Sequence, residues 1–126
     1  MDFAMFRNER SVVVHNQTKQ TSLAARVTVA DSGLSRLVGL LGRRSLQPGT
    51  GIWIVPANAI HTIGMLFRFD VVLIDKNHKV VGLRERIRPF WMTWPNFRAH
   101  SVLELPAHTI SSSHTAIGDE LLIEKV

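Results

Sequence analysis

With 126 residues, 45% of them apolar, and a formal charge of +5, the chain is long enough for one hydrophobic core and too short for two ordinary domains. The lack of cysteine excludes disulfides, thiolate nucleophiles and cysteine-ligated zinc together, and no run approaches the roughly 18 apolar residues that a membrane helix needs. Eleven arginines among fifteen basic residues would suit nucleic acid, but they are scattered in pairs such as Arg7/Arg10 and Arg43/Arg44 without interleaved stacking aromatics, so no nucleic-acid partner is expected.

Residues 1–10 lack the long apolar stretch of a secretory signal. They read as an extension ahead of a domain over 11–126, and the chain as given is expected to be cytoplasmic. Ser11–Val14 and Ala25–Ala30 read as strands, with the polar run His15–Gln20 as their turn, which predicts a hairpin. Asp31 or Ser32 can then cap a helix over about residues 32–41, because Leu34, Leu37, Val38 and Leu41 recur at helical spacing. Gly42 suits its C-terminal cap, and Arg43 and Arg44 suit the negative end of its dipole. Gln47–Gly51 breaks the chain before the apolar run Ile52–Val55, which Pro56 ends.

The next stretch, Ile60 to Asp70, places polar groups and a glycine inside apolar sequence and runs into the strand Val71–Ile74. Buried polar groups must be satisfied where they sit, so this is the first place to look for a site. Val71–Ile74 and Val80–Leu83 flank a loop over 75–79 in which Asn77 is the residue best suited to a left-handed conformation. If Arg84–Arg88 continues as a regular strand, Arg84, Arg86 and Arg88 share a face, either to hold an anion or to blunt an edge. Arg88–Pro95 carries prolines near both ends and reads as an aromatic loop. Ser101–Leu105 and Glu120–Glu124 complete the set, the latter after a Gly118-Asp119 turn. Seven or eight short strands with one helix predict a mainly β fold, a compact β-sandwich or barrel-like domain with one short α-helix at about 32–41.

Several separate motifs agree with a known family in order and spacing. They are Gly39-Leu40-Leu41-Gly42-Arg43 with Leu46, Ile60-His61-Thr62-x-Gly64-Met65-x-Phe67-x-x-Asp70-Val71-Val72, Val80-Val81, Val102-Leu103-Glu104-Leu105-Pro106-Ala107, and Gly118-Asp119. Over roughly residues 11 to 126 the chain resembles the DUF192 family. That resemblance implies a small β-sandwich-like domain found widely in bacteria and archaea, with no established activity. Two positions depart from it: Asn77-His78, where the resemblance suggests a turn ending in glycine, and Ala107-His108, where it suggests Ala-Gly. Each replaces a residue free to take positive φ, so local turn geometry is the point at issue.

His61 is the sharpest chemical candidate, since an imidazole can act as base, acid or ligand. Its structural alternative is a hydrogen-bonded core residue. Asp70 could orient His61; equally it could bond backbone amides at the strand start or pair with Arg43. Thr62 can tie down the bend that Gly64 permits, and Met65 either fills the core or floors a pocket. Alternation puts Glu104 opposite Leu103 and Leu105, exposed or, if buried, in need of a partner such as Arg43 or Arg68.

A metal site drawn from His61, Asp70, His100, His108 and His114 lacks close ligand pairs, and no metal is expected. Ser111-Ser112-Ser113-His114 reads as a polar turn without the context of a hydrolase nucleophile. No phosphate loop or other cofactor motif is present, so no cofactor is expected. The favoured function is a non-catalytic accessory module binding a small molecule, glycan or protein segment, with His61, Thr62, Met65, Asp70, Arg43 and Glu104 as ligand-binding candidates. One alternative is a hydrolytic or metal-assisted enzyme using His61 and Asp70. Another is a structural or assembly protein that docks a partner through Phe90, Trp91 and Trp94.

Overall fold

A computed structural model describes residues 10–31, 45–59, 67–88 and 94–126. The elements are β1 (Ser11–Asn16), β2 (Thr21–Ala30), β3 (Thr50–Ile54), β4 (Phe69–Ile74), β5 (Val80–Ile87), β6 (Ser101–Pro106), α1 (Thr109–Ser113) and β7 (Leu121–Lys125). The strands form one curled seven-stranded sheet, a half-barrel, in the order β5-β4-β6-β3-β2-β1-β7. Every pairing is antiparallel except β2 with β3. The mainly β expectation therefore holds, and the strands fall around the apolar runs of the sequence, with β1 taking in His15 and Asn16 of the expected turn and β2 starting earlier than expected, at Thr21. The helix expected at 32–41 lies outside the described residues.

The two edges of the sheet meet at one place. Lys79 forms a bridge with Glu120, Val80 N–H donates to the Asp119 carbonyl at 2.8 Å, Gly118 N–H donates to the Val80 carbonyl at 2.8 Å, and Leu121 N–H donates to the His78 carbonyl at 2.9 Å. These bonds clasp the start of β5 to the start of β7. Closing a sheet on itself removes part of the unpaired edge that would otherwise recruit foreign strands.

Curling creates an inner and an outer face with separate cores. The inner cluster joins Val12, Val14, Val27 and Val29 to Val72, Ile74, Leu103, Leu105, Ile110 and Leu121, with Trp53, Leu83 and Ile123 partly buried against it. The outer cluster covers β3, β4, β5 and β6 through Ile52, Ile54, Phe69, Val71, Leu73, Val81, Ile87 and Val102, against which Phe67, Ala57 and Ala99 pack. Burial on both faces explains why β4 and most of β6 read as continuous apolar runs.

Two expectations fail for local reasons. Arg86 takes φ 51° at a bulge where Phe69 and Val71 pair with Ile87 and Arg84. The extra residue breaks the alternation, so three guanidiniums do not line one regular face. In the 75–79 turn it is His78, at φ 65°, and not Asn77, that adopts the left-handed conformation. Asp75 organises this turn, its Oδ1 accepting from Asn77 N–H and Lys79 N–H, both at 2.9 Å. Those amide bonds, that of Lys79 foremost, hold the Asp75 carboxyl below its usual value despite partial desolvation.

The polar run 111–114, expected as a turn, belongs instead to α1 and its cap. Ser113 Oγ back-bonds to the Thr109 carbonyl at 2.7 Å, and Thr109 Oγ1 donates to the Pro106 carbonyl at 2.7 Å. Serine is a weak helix former, and a five-residue helix carries too little periodicity to be read from sequence. Among the described residues no helix is long and apolar enough to cross a membrane.

Candidate functional site

Asp70 and Glu104 can be placed. Asp70 is fully buried; its Oδ1 accepts from Arg86 N–H at 2.9 Å and its Oδ2 from Ile110 N–H at 2.8 Å. One carboxylate thus ties the β5 bulge to the first turn of α1, satisfying two backbone donors that burial would otherwise leave unpaired. Glu104 faces away from Leu103 and Leu105, as alternation requires, yet it is 4% exposed because that side of β6 lies within the outer core. Its neighbours across the strands are Ile52 and Val71. Arg68 is exposed. His61, Thr62, Met65 and Arg43 lie outside the described residues, as do Phe90 and Trp91. Trp94 is 86% exposed, with Phe97 at 89% on the same loop.

That loop is held in place at Asn96. Its N–H donates to the Asn58 carbonyl at 2.9 Å, its Nδ2 to the Val81 carbonyl at 3.2 Å, and its Oδ1 accepts from Arg98 N–H at 3.0 Å. The two aromatic side chains are therefore displayed outward from an anchored turn. Among the described residues no group of three or more His, Asp or Glu side chains is placed to hold a metal ion.

A second buried polar cluster fastens the β1–β2 turn to the segment before β7. Asp119 accepts from Asn16 Nδ2 at 2.9 Å, from Lys19 Nζ at 3.0 and 2.9 Å and from Ala116 N–H at 2.9 Å. Asn16 Nδ2 also donates to Thr115 Oγ1 at 3.1 Å. Burial alone would raise the Asp119 carboxyl, but these hydrogen bonds and the Lys19 charge outweigh it and hold the group below its usual value.

Among the described residues, a concavity suited to a ligand lies on the inner face, where β2, β3 and β7 end and β1 begins. It encloses about 300 Å³ and is lined by Val12, Val29, Trp53, Val55 and Ile123, with Arg10, Asp31, Lys125 and His78 at its rim. Strand alternation builds the floor: Trp53 follows Gly51 on the inner side of β3, and Ile123 follows Leu121 on that of β7. The Trp53 indole is fixed by its Nε1–H, which donates to Ser101 Oγ at 2.8 Å. The His78 ring packs directly against it, edge-to-face, at 5.6 Å between centroids and 85° between planes. Arg10 forms an ion pair with Asp31. A more open depression of about 390 Å³ is lined by His15, Asn16, Gln17, Gln20, Thr21, Ser22 and Leu122, all but the last of them polar residues.

The DUF192 family model, described as an uncharacterized ACR, matches residues 13–123. The chain belongs to the DUF192 family. The UPF0127 protein PH1112 of Pyrococcus horikoshii is 27% identical over 114 residues, 86% of this chain and 96% of that protein. A protein of unknown function from Novosphingobium aromaticivorans DSM 12444 superposes with a TM-score of 0.73 at 16% identity, covering 90% of this chain and 84% of the other. A protein from Sinorhizobium meliloti 1021, named as a candidate transcription regulator, gives 0.74 at 19% identity over 91% and 93% of the two chains. At these identities the solved structures speak to the fold alone.

In this DUF192 chain both histidines that stand where the resemblance suggests glycine adopt positive φ, 65° for His78 and 76° for His108. The backbone keeps the glycine-like geometry while carrying a side chain, at a cost of roughly 1–2 kcal/mol for each such residue. For His78 the side chain so placed lines the cleft. Sequence reading passed over Trp53, His78, Lys125 and Ile123 as site residues. The signal for His78 was present as the departure from glycine; the others needed the curl of the sheet to bring β3, β7 and the 75–79 turn together.

Proposed function

We propose that this DUF192 protein is a non-catalytic module that binds a small organic molecule in the Trp53–His78 cleft. The supporting observation is an open cleft of about 300 Å³ on an inner face whose other residues, from Val14 to Leu105, are packed shut. Concave sites with an apolar floor and a few polar groups at the rim are where proteins hold small ligands. At roughly 30 Å³ per water-sized group, the volume suits about ten non-hydrogen atoms, which favours a small molecule over a glycan chain or a protein segment. His78 is one of five non-glycine residues with positive φ among the described residues, and it is the one that faces the indole, which supports a binding role for its side chain.

The enzyme alternative built on His61 and Asp70 draws no support from Asp70, whose two oxygens are taken up by backbone amides. Partner docking is favoured by one observation, the exposure of Trp94 and Phe97 on the loop anchored by Asn96. Sedimentation velocity of wild type and a Trp94→Ser/Phe97→Ser variant tests it: higher-mass species present in the former and lost in the latter would favour docking.

The binding reading is tested by following the Trp53 indole N–H resonance while titrating small neutral and charged aromatic and aliphatic molecules. A saturable shift is expected with at least one class, abolished by Ile123→Phe, which fills the cleft. A resonance indifferent to the whole panel would contradict the proposal.

A further inference from the structure

We infer that the cleft selects an organic monoanion, a carboxylate carried on a compact apolar or aromatic body, and that Lys125 reads its charge. This inference rests on the binding reading above and names the ligand class of the same site.

The rim carries four ionisable side chains, Arg10, Asp31, Lys125 and His78. Arg10 and Asp31 are paired with each other, so their charges largely cancel toward a ligand. Lys125 is different: among the described residues it forms no ion pair. Its place is set by the period of β7, in which Leu121 and Ile123 face the inner core and Lys125 follows on the same side, opposite Val12 in the β1 register. An ammonium at the end of an apolar inner row keeps its head in water while its stem lies along the wall.

The floor offers a π face and methyl groups. The indole N–H is already given to Ser101, and the one carboxylate in the lining is held by Arg10, which leaves Lys125 as the unpaired charge among the described lining residues. Electrostatic attraction is strengthened where one side of the ligand is shielded from water. A doubly charged phosphate is matched best by a guanidinium fork or several cations together, whereas here the Arg10 guanidinium is engaged by Asp31 and one ammonium remains. A lysine is a point donor on a flexible stem, which suits a single carboxylate. The uncommitted polar group facing the ligand body is then the His78 ring, whose nitrogens make no hydrogen bond among the described residues.

The test compares 3-phenylpropanoate with 3-phenylpropanamide, which share shape and differ in charge, by the Trp53 indole N–H shift in wild type and in Lys125→Met. The acid is expected to bind at least about tenfold more tightly than the amide, the factor that one charge-assisted hydrogen bond supplies. Lys125→Met should bring the acid to the level of the amide and leave the amide unchanged. Equal binding of the two by wild type would overturn the charge assignment and leave the cleft standing as a site. A preference for the acid that survives Lys125→Met would overturn the role of Lys125. No shift with either compound, in a protein whose spectrum shows it folded, would overturn this inference and tell against the binding reading together.

Discussion

The His78 imidazole stands edge-to-face against the Trp53 indole, with centroids 5.6 Å apart and planes at 85°, and it does so from a left-handed backbone position, φ 65°. The turn that presents it is the same one whose His78 carbonyl and neighbouring Val80 carbonyl accept from Leu121 and Gly118. The device that clasps β5 to β7 therefore also sets one wall of the cleft. Fold closure and the candidate site share a single short turn.

Replacing His78 separates these roles. His78→Gly relieves the left-handed strain of about 1–2 kcal/mol but loses a ring contact of about 0.5–1.5 kcal/mol and adds unfolded-chain entropy of about 0.4–1 kcal/mol. The expected outcome in urea denaturation is a midpoint close to wild type, with ligand-induced shifts at Trp53 weakened. His78→Val, whose β-branch suits that conformation poorly, should lower the midpoint clearly.

Asp70→Ala leaves the buried N–H groups of Arg86 and Ile110 without their acceptor. At about 1–3 kcal/mol for each of the two unsatisfied groups, a loss of about 2–6 kcal/mol is expected by chemical denaturation. Amide exchange should accelerate at Ile110 and Arg86 ahead of the β4 core. Unchanged stability would show that the bonds to Asp70 do not hold α1 to the sheet.

Asp119 makes the fold sensitive to acid. Its folded-state value is depressed, so the folded protein holds fewer protons than the unfolded chain near the ordinary carboxylate value of about 3.9. The resulting stability is present above that value and is lost as pH falls through the folded one. Urea midpoints should fall from about pH 5 downward, and Asp119→Asn should flatten that fall while lowering stability at neutral pH.

Gly51 and Gly118 should respond differently to alanine. A Cβ at Gly51 would lie 2.7 Å from the Glu104 carbonyl and 2.9 Å from Leu105 Cδ2, whereas at Gly118 it would meet nothing within 4 Å but φ is +97°. Gly51→Ala must push β3 from β6, with an expected cost of about 1–3 kcal/mol or more. Gly118→Ala should cost about 1 kcal/mol of backbone strain. Thermal unfolding of the pair would rank them.

Much of the fold was legible in the chain because both faces of the central strands are buried: the runs around Val71–Ile74 and Val102–Leu105 have no other comfortable home. Local periodicity failed where one residue changed the count, as at the Arg86 bulge, or where a tertiary hydrogen bond supported a poor sequence, as α1 is tied by Asp70. Glu104 was placed on the correct side of β6, but its burial depended on an outer core that alternation along a single strand does not reveal. The cleft was the least legible part. Trp53, His78, Ile123 and Lys125 come from three separate segments, and only the curl of the sheet brings them to one wall; His78 alone left a trace, as a histidine in a turn suited to glycine.

The central claim, that the inner-face cleft takes the ligand, is tested most directly by intermolecular nuclear Overhauser effects in a complex with 3-phenylpropanoate. Contacts are expected from the phenyl protons to the methyl groups of Val12, Val29, Val55 and Ile123 and to the Trp53 ring. Contacts confined to outer-face residues such as Val81 or Leu73, or to the Trp94 loop, would contradict it.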